Sequence, residues 1–164
     1  MKPLIKITYS QASKKLGKFI GSNQLHAMVK GCNGEEGEYF IAKLEEYEQR
    51  INTMPHTYQQ DGLGDNAIAY LHYFTGGCDW YITEKDVGDP SDTDTGTQYQ
   101  AFGLANLGYG GELGYISIND LVEDQVDFDL HFKPTTIGAL KNKRSKEVSV
   151  ESLLPSIAIL NLTK

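Results

Sequence analysis

A glycine pair between two strand-like runs constrains this chain more than any other feature. The runs AIAYLHYF and CDWYITE alternate in side-chain character, and a Gly-Gly pair at positions 76–77 joins them. Two adjacent glycines can take positive φ at both central positions of a two-residue turn, which is the geometry of a tight antiparallel hairpin. The pair therefore predicts one register, in which Tyr73 faces Trp80 and His72 faces Tyr81.

This register divides the hairpin into two faces, because successive side chains of a strand point to opposite sides. One face carries Leu71, Tyr73, Trp80 and Ile82, and we expect it to be core, with Trp80 among the most buried residues. The other face mixes rings, hydroxyl groups, one imidazole and one carboxylate. Its members are Ile68, Tyr70, His72, Phe74, Asp79, Tyr81 and Thr83.

Patterns in the rest of the chain predict which helices and strands pack against this hairpin. Residues 10–54 are mostly helical by hydrophobic period, and the clearest helix is EGEYFIAKLEEYEQRINTM, whose apolar residues recur at spacings of three and four. A second pair of strand-like runs, QYQAFGLANL and ELGYISI, surrounds the turn GYGG. The pattern predicts an α+β fold, with an antiparallel β-meander of about four strands and the N-terminal helices packed on one face.

The length of 164 residues predicts a single domain. Its parts are a helical N-terminal part at 10–54, a β core at 67–137, and a basic linker followed by an apolar tail at 141–164. Residues 148–164 either fold back as an edge strand or dock on another chain. Residues 85–98 predict a surface loop. The D-x-D-x-G sequence that starts at Asp92 resembles a calcium loop, but its twelfth position is Gly103 and not Glu, so no metal is expected.

Composition excludes several classes of function. The net charge is −7, which disfavours direct binding to nucleic acid. No run of eighteen apolar residues is present, so no membrane contact is expected, and the N-terminus lacks the apolar core of a signal peptide. These observations predict a cytoplasmic protein, in which Cys32 and Cys78 are reduced thiols. Phosphate-binding and dinucleotide-binding motifs are also absent from the sequence, so no cofactor is expected.

Acidic and imidazole side chains supply the candidate catalytic residues. His72 and Asp79 are diagonal neighbours on the mixed face, where they form either a structural pair or a general base with its orienting acid. Glu84 lies at the edge of the core face, where it is expected to reach solvent and to act as a salt-bridge partner more readily than as a catalyst. Glu112 lies in the glycine-rich turn GYGGELG, and Asp129 and His131 lie in DFDLHF. The candidates are His72, Asp79, Glu84, Glu112 and His131.

Candidate binding residues come from the mixed face and from the glycine-rich turn. Gly110 and Gly111 allow the backbone to approach a ligand or another strand closely. Tyr70 and Tyr81 present hydroxyl groups on the mixed face.

Several spaced motifs carry a family resemblance. Residues 79–84, 102–108, 112–117 and 129–134 resemble the D-W-x-x-T-E, F-G-L-x-D-L-G, E-L-G-x-x-S and D-L-x-F-x-P motifs of the DUF 2958 family, domains of unknown function from bacterial plasmids, integrated elements and phages. The similarity covers about residues 67–137. Asn106 stands where the family more often has Asp. The resemblance implies a genomic neighbourhood beside antirestriction and conjugation genes, and it implies no reaction.

Two functions follow as hypotheses. The first is a non-enzymatic accessory protein of a mobile genetic element, which acts through protein–protein contacts, with inhibition of a host defence nuclease as one form of that activity. The absence of a marked nucleophile favours this hypothesis over catalysis. The second is a small enzyme that uses the His/Asp/Glu set. A concave pocket that gathers three or more of these groups would favour the enzyme.

Overall fold

The computed structural model describes residues 6–88, 96–144 and 146. The helices are α1 (Tyr9–Leu16), α2 (Ser22–Cys32), α3 (Gly37–Thr53), α4 (Ile118–Glu123) and α5, which covers residues 137–144. The strands are β1 (Ile68–Ala69), β2 (Leu71–Thr75), β3 (Cys78–Glu84), β4 (Ala101–Asn106), β5 (Gly111–Ile116), β6 (Asp127–Phe128) and β7 (Thr135–Thr136). The predicted α+β fold with an antiparallel sheet is confirmed.

The hairpin register is confirmed pair by pair. Tyr73 is opposite Trp80 and His72 is opposite Tyr81. Gly76 and Gly77 both have positive φ, at 49° and 85°, and a side chain at either position would be strained. The turn chemistry therefore determines which residues of β2 and β3 share a face.

The predicted four-strand meander is part of a larger sheet, to which β6 is added beside β2. Within the described residues its order is β5-β4-β3-β2-β6, and β1 and β7 form a separate two-stranded ladder. Each neighbouring pair in the larger sheet is antiparallel. The addition of β6 matters for function, because it brings the DFDLHF segment beside β2.

Helices α1, α2 and α3 cover one face of the sheet, as predicted, and form the larger core with it. Tyr47 of α3 and Tyr73 of β2 are fully buried there, and each packs edge-to-face against Phe128. Helix α1 begins with a capping box, in which the Thr8 hydroxyl accepts a hydrogen bond from the Gln11 backbone N–H. The larger core formed with the helical layer extends across the sheet, from Phe128 of β6 to Ile116 of β5.

Trp80 is only half-buried, which contradicts the expectation that it is among the most buried residues. The row Phe128, Tyr73, Trp80, Ala105, Glu112 runs across one face of the sheet from β6 to β5. Phe128 and Tyr73 are buried, Trp80 and Ala105 are half-buried, and Glu112 is exposed. Because α1–α3 cover the β6 side of this row, its β5 end is left open to solvent.

Helix α5 covers part of the opposite face of the sheet, which the sequence analysis did not predict. Ile137 is buried with Leu104 in a second, smaller core, and Leu140 and Phe132 pack against it. Residues 141–144, which were expected to belong to a basic linker, continue this helix. The apolar tail expected at 148–164 lies outside the described residues.

The predicted loop at 85–98 is closed at its base by side-chain hydrogen bonds. Gln98 is buried, and its Oε1 accepts a hydrogen bond from the Asp86 backbone N–H at 2.8 Å. The Asp86 carboxylate in turn accepts hydrogen bonds from the backbone of Gly88 and Gln100. Residues 89–95, which include the D-x-D start of the calcium-like sequence, lie outside the described part of the chain.

Two further findings concern single residues and helices. Cys32 is buried and Cys78 is half-buried, and both are free thiols.

Among the helices of the described residues, none has the length and apolar character needed to span a bilayer.

Candidate functional site

His72 lies between two carboxylates on the mixed face of the sheet. Its Nε2 atom is 2.8 Å from Oδ1 of Asp79, and its Nδ1 atom is 2.8 Å from Oδ2 of Asp129. The three side chains come from β2, β3 and the turn after β6. We call this group the His72 clasp. It contains the predicted His72–Asp79 pair together with a third member from the DFDLHF segment.

The outer oxygens of the clasp are also engaged. Oδ2 of Asp79 accepts a hydrogen bond from Nη1 of Arg144 at 3.3 Å, and Oδ1 of Asp129 accepts one from the His131 backbone N–H at 2.8 Å. Both imidazole nitrogens and all four carboxylate oxygens of the clasp therefore have a partner. Charge-assisted hydrogen bonds of this kind are stronger than neutral ones.

Helix α3 positions Asp129 through the backbone of its turn. The Tyr47 hydroxyl donates a hydrogen bond to the Asp129 carbonyl oxygen at 2.9 Å, and Nη1 of Arg50 donates one to the Phe132 carbonyl oxygen at 2.9 Å. The Asp129 backbone N–H also donates to the His72 carbonyl oxygen at 2.9 Å. Burial raises the pKa of the Tyr47 phenol to about 12, so this donor keeps its proton at neutral pH.

The clasp forms the floor of a cleft of about 900 Å³. The ring of Tyr81 stacks on the imidazole of His72, with the ring centres 4.4 Å apart and the planes 7° apart. Phe132, Leu104 and Leu140 complete an apolar wall next to this stack. The cleft falls within the size range of ordinary ligand sites, about 300–1,000 Å³.

Helix α5 contributes a cationic wall to the same cleft. Lys141, Lys143 and Arg144 all line it. Lys141 forms an ion pair with Asp65 at 2.8 Å, and Arg144 contacts Asp79. Lys143 has no ion-pair partner within residues 6–88 and 96–144. These cations come from the segment that was predicted to be a linker.

The glycine-rich turn between β4 and β5 forms the rim of the cleft. The predicted binding residues Gly110 and Gly111 line it, as does Tyr81. Asn106, at the position where the resembled family more often has Asp, is buried, and its Oδ1 accepts a hydrogen bond from the Gly108 backbone N–H at 2.9 Å. An amide oxygen is sufficient for this turn, so the position needs no charge for that bond.

Glu84 lies in a different place from the clasp. The pairing of β3 with β4 shifts between Ile82 and Glu84, so that Glu84 is opposite Phe102. Its carboxylate is buried and accepts hydrogen bonds from the backbone N–H groups of Tyr58 at 2.7 Å and Gln60 at 2.8 Å. The expected position at the edge of the core face, in reach of solvent, is therefore wrong. Glu84 holds the loop after α3.

A second cleft of about 500 Å³ surrounds Glu84, with Phe102 and Leu113 among its lining residues. At its mouth the hydroxyl groups of Tyr58 and Tyr115 are 2.7 Å apart, and this hydrogen bond raises the pKa of Tyr115. The two clefts are separate, so Glu84 contributes nothing to the clasp.

The remaining predicted residues are dispersed. Glu112 is exposed on β5, and His131 has an exposed side chain. Tyr70, predicted to lie on the mixed face, instead packs against the larger core. Of the five candidate catalytic residues, only His72 and Asp79 line the larger cleft. Within residues 6–88 and 96–144, no group of three or more His, Cys, Asp or Glu side chains is arranged to hold a metal ion.

The residues that α5 supplies to the cleft are not predicted in the sequence-based list of candidates. Ile137, Leu140 and Arg144 recur at spacings of three and four, which is the period of one helical face. That signal would have predicted a helix here and placed Arg144 on its packed side. Asp129 is not among the predicted catalytic residues, because nothing local relates it to a histidine 57 residues earlier.

The chain was compared with family models, curated proteins and solved structures. No family model, curated protein or solved structure matches the chain. A function can therefore be inferred only from the chemistry of the clasp, of the cleft and of the open surfaces of the sheet.

Proposed function

We propose that this protein is a non-enzymatic accessory protein of a mobile genetic element that acts in the cytoplasm through contacts with another protein. Inhibition of a host defence nuclease is the form of that activity to test first. The observation that carries the proposal is the complete engagement of the His72 clasp, and the open β5 side of the sheet supports it.

The clasp is poorly suited to general base catalysis. A neutral imidazole takes a proton through a ring nitrogen that carries a free lone pair. Both nitrogens of His72 are already hydrogen-bonded to carboxylates, at 2.8 Å each. A substrate would have to displace Asp79 or Asp129 before His72 could act. The same bonds connect β2, β3 and the turn after β6, which is what a structural role requires.

The β5 side of the sheet is suited to protein contact. Strand β5 is at the end of the sheet, and no strand pairs with its outer side within the described residues. Leu113 and Tyr115 of β5 are exposed, as are Leu107 and Tyr109 at the tip of the β4–β5 hairpin. Unpaired backbone groups beside exposed apolar side chains are typical of sites where proteins add a strand or pack an apolar patch.

The mobile-element part of the proposal comes from the resemblance to the DUF 2958 family. The four motifs that carry this resemblance include Asp79, Asp129 and the β4–β5 hairpin. Each of these has a structural task here, in the clasp or in the turn at its rim. The motifs can therefore be explained without assigning them a reaction.

A paired variant tests the proposed contact surface. Leu113→Lys with Tyr115→Lys replaces two exposed side chains by charged ones. Because Tyr115 also contacts Tyr58 and Phe102, the melting temperature of the double variant is measured to show that it folds. Tagged protein would be cross-linked in a bacterial host and its partners quantified by mass spectrometry. We expect a partner that the double variant loses. Tyr39→Lys is the matched control, because Tyr39 and Leu113 are both 42% exposed and Tyr39 lies on α3.

A functional readout separates the accessory protein from an enzyme. Transformation by unmodified plasmid would be measured in cells that contain a restriction nuclease, with and without this protein. The proposal expects protection that depends on Leu113 and Tyr115. If His72→Gln and Asp79→Asn abolish protection while the proteins remain fully folded, and the β5 variant keeps it, the enzyme hypothesis replaces the proposal.

A further inference from the structure

We infer that the larger cleft binds a small organic anion, a phosphate or carboxylate group carried on a flat ring. Lys143 and Arg144 would hold the charged group at the cationic wall of α5, and the ring would lie against the wall that Tyr81 and Phe132 form. This inference does not depend on the proposed protein partner, because Leu113 and Tyr115, at which that contact is tested, do not line the cleft.

The positive charge of the α5 wall favours an anionic ligand. The chain as a whole carries a net charge of −7, so a cationic wall is a local reversal that attracts anions. Lys143 has no ion-pair partner among the described residues. Arg144 has five N–H donors, and one of them makes the 3.3 Å contact with Asp79. These two side chains therefore retain donors for a ligand.

The carboxylates on the floor do not oppose this assignment. Asp79 is bound by His72 and Arg144, and Asp129 by His72 and a backbone N–H. Their charge is thereby partly compensated, and each carboxylate is bound to one nitrogen of the imidazole. A ligand with its anionic group near Lys143 keeps that group at the cationic wall of α5. The ring of the ligand would then lie against the apolar wall of the same cleft.

The wall of the cleft fits a flat, apolar body. Tyr81 and Phe132 lie side by side, with ring centres 5.8 Å apart and planes 45° apart, and Leu104 and Leu140 flank them. Tyr109 at the rim is fully exposed and can cover a bound ring. Aromatic side chains commonly bind rings by offset or edge-to-face contact. An anion without a ring would leave this wall unused.

Phenyl phosphate is the direct probe, with inorganic phosphate and phenol as its two halves. Binding would be measured by calorimetry with the full chain, and the site located from amide shifts of Gly110 and Gly111. We expect phenyl phosphate to bind saturably and at least about tenfold more tightly than either half. Equal binding of inorganic phosphate would overturn the role of the ring. Equal binding of phenol would overturn the role of the charge.

Charge variants locate the anionic group. Lys143→Gln, alone and with Arg144→Gln, should weaken phenyl phosphate binding by about tenfold or more. Lys133→Gln is the matched control, because Lys133 is exposed nearby but does not line the cleft. Melting temperatures would confirm that each variant is folded. No binding to the unaltered protein, or equal weakening by Lys133→Gln, would overturn the inference.

Discussion

Replacing His72 by Gln tests whether the clasp holds the sheet together. A Gln side chain has one amide group, so it can donate to Asp79 or to Asp129 but cannot span both as the imidazole does. The variant loses at least one of the two 2.8 Å bonds. It also loses the ring that stacks on Tyr81 at 4.4 Å. Two carboxylates would then face each other without the group that bridges them.

The magnitude follows from these losses. A hydrogen bond to a charged group contributes about 1.5–3 kcal/mol, and an aromatic pair about 0.5–1.5 kcal/mol beyond its buried area. The side chains of His72, Asp79 and Asp129 are 12%, 23% and 24% exposed, so the carboxylates recover part of the loss by hydration. We expect a loss of about 3 kcal/mol in the free energy of unfolding, or roughly 6–12 °C in melting temperature for a chain of this size.

Urea denaturation followed by circular dichroism measures this loss, and His131→Gln is the matched control. The His131 side chain is exposed, and only its backbone N–H contacts the clasp. The control should change stability by less than about 0.5 kcal/mol. If His72→Gln is as mild as this control, the clasp is not structural and the argument against catalysis fails with it.

Two further predictions concern buried groups. Glu84→Ala removes the buried carboxylate that accepts two part-buried backbone hydrogen bonds, and it should cost about 2–4 kcal/mol by urea denaturation. Glu84→Gln, which keeps one oxygen, should cost about half. Equal and small costs would contradict the role assigned to Glu84. The pKa of Tyr47 rises from the ordinary value of about 10 to about 12. The stabilisation that the protonated Tyr47 phenol gives to the folded state is therefore complete below about pH 10. As the pH rises toward 12, the free energy of unfolding should fall by about 1–3 kcal/mol. Tyr47→Phe should flatten that alkaline loss in a stability–pH series, and an unchanged curve would refute the assignment.

The register of the central hairpin could be derived from the sequence because its cause is local. Gly76 and Gly77 supply the two positive φ values that a two-residue turn requires, and the alternation of side chains then follows from strand geometry. The helical N-terminal part and the meander could also be derived from local patterns, namely the spacing of apolar residues and the turn sequences. The prediction that His72 and Asp79 meet is confirmed for this reason, since both belong to one hairpin.

Tertiary structure decided what lies on either side of that hairpin. Asp129 reaches His72 because β6 pairs with β2 and because Tyr47 and Arg50 of α3 hold the turn that follows. The half-burial of Trp80 reflects which part of the sheet the helices cover, and the position of Glu84 reflects a register shift in β3. None of these has a local signature, because each depends on contacts between segments far apart in the chain. The segment that forms the cationic wall has a helical spacing of residues that is visible in the sequence. Its position beside the clasp, however, depends on the packing of Ile137 and Leu140 on the sheet.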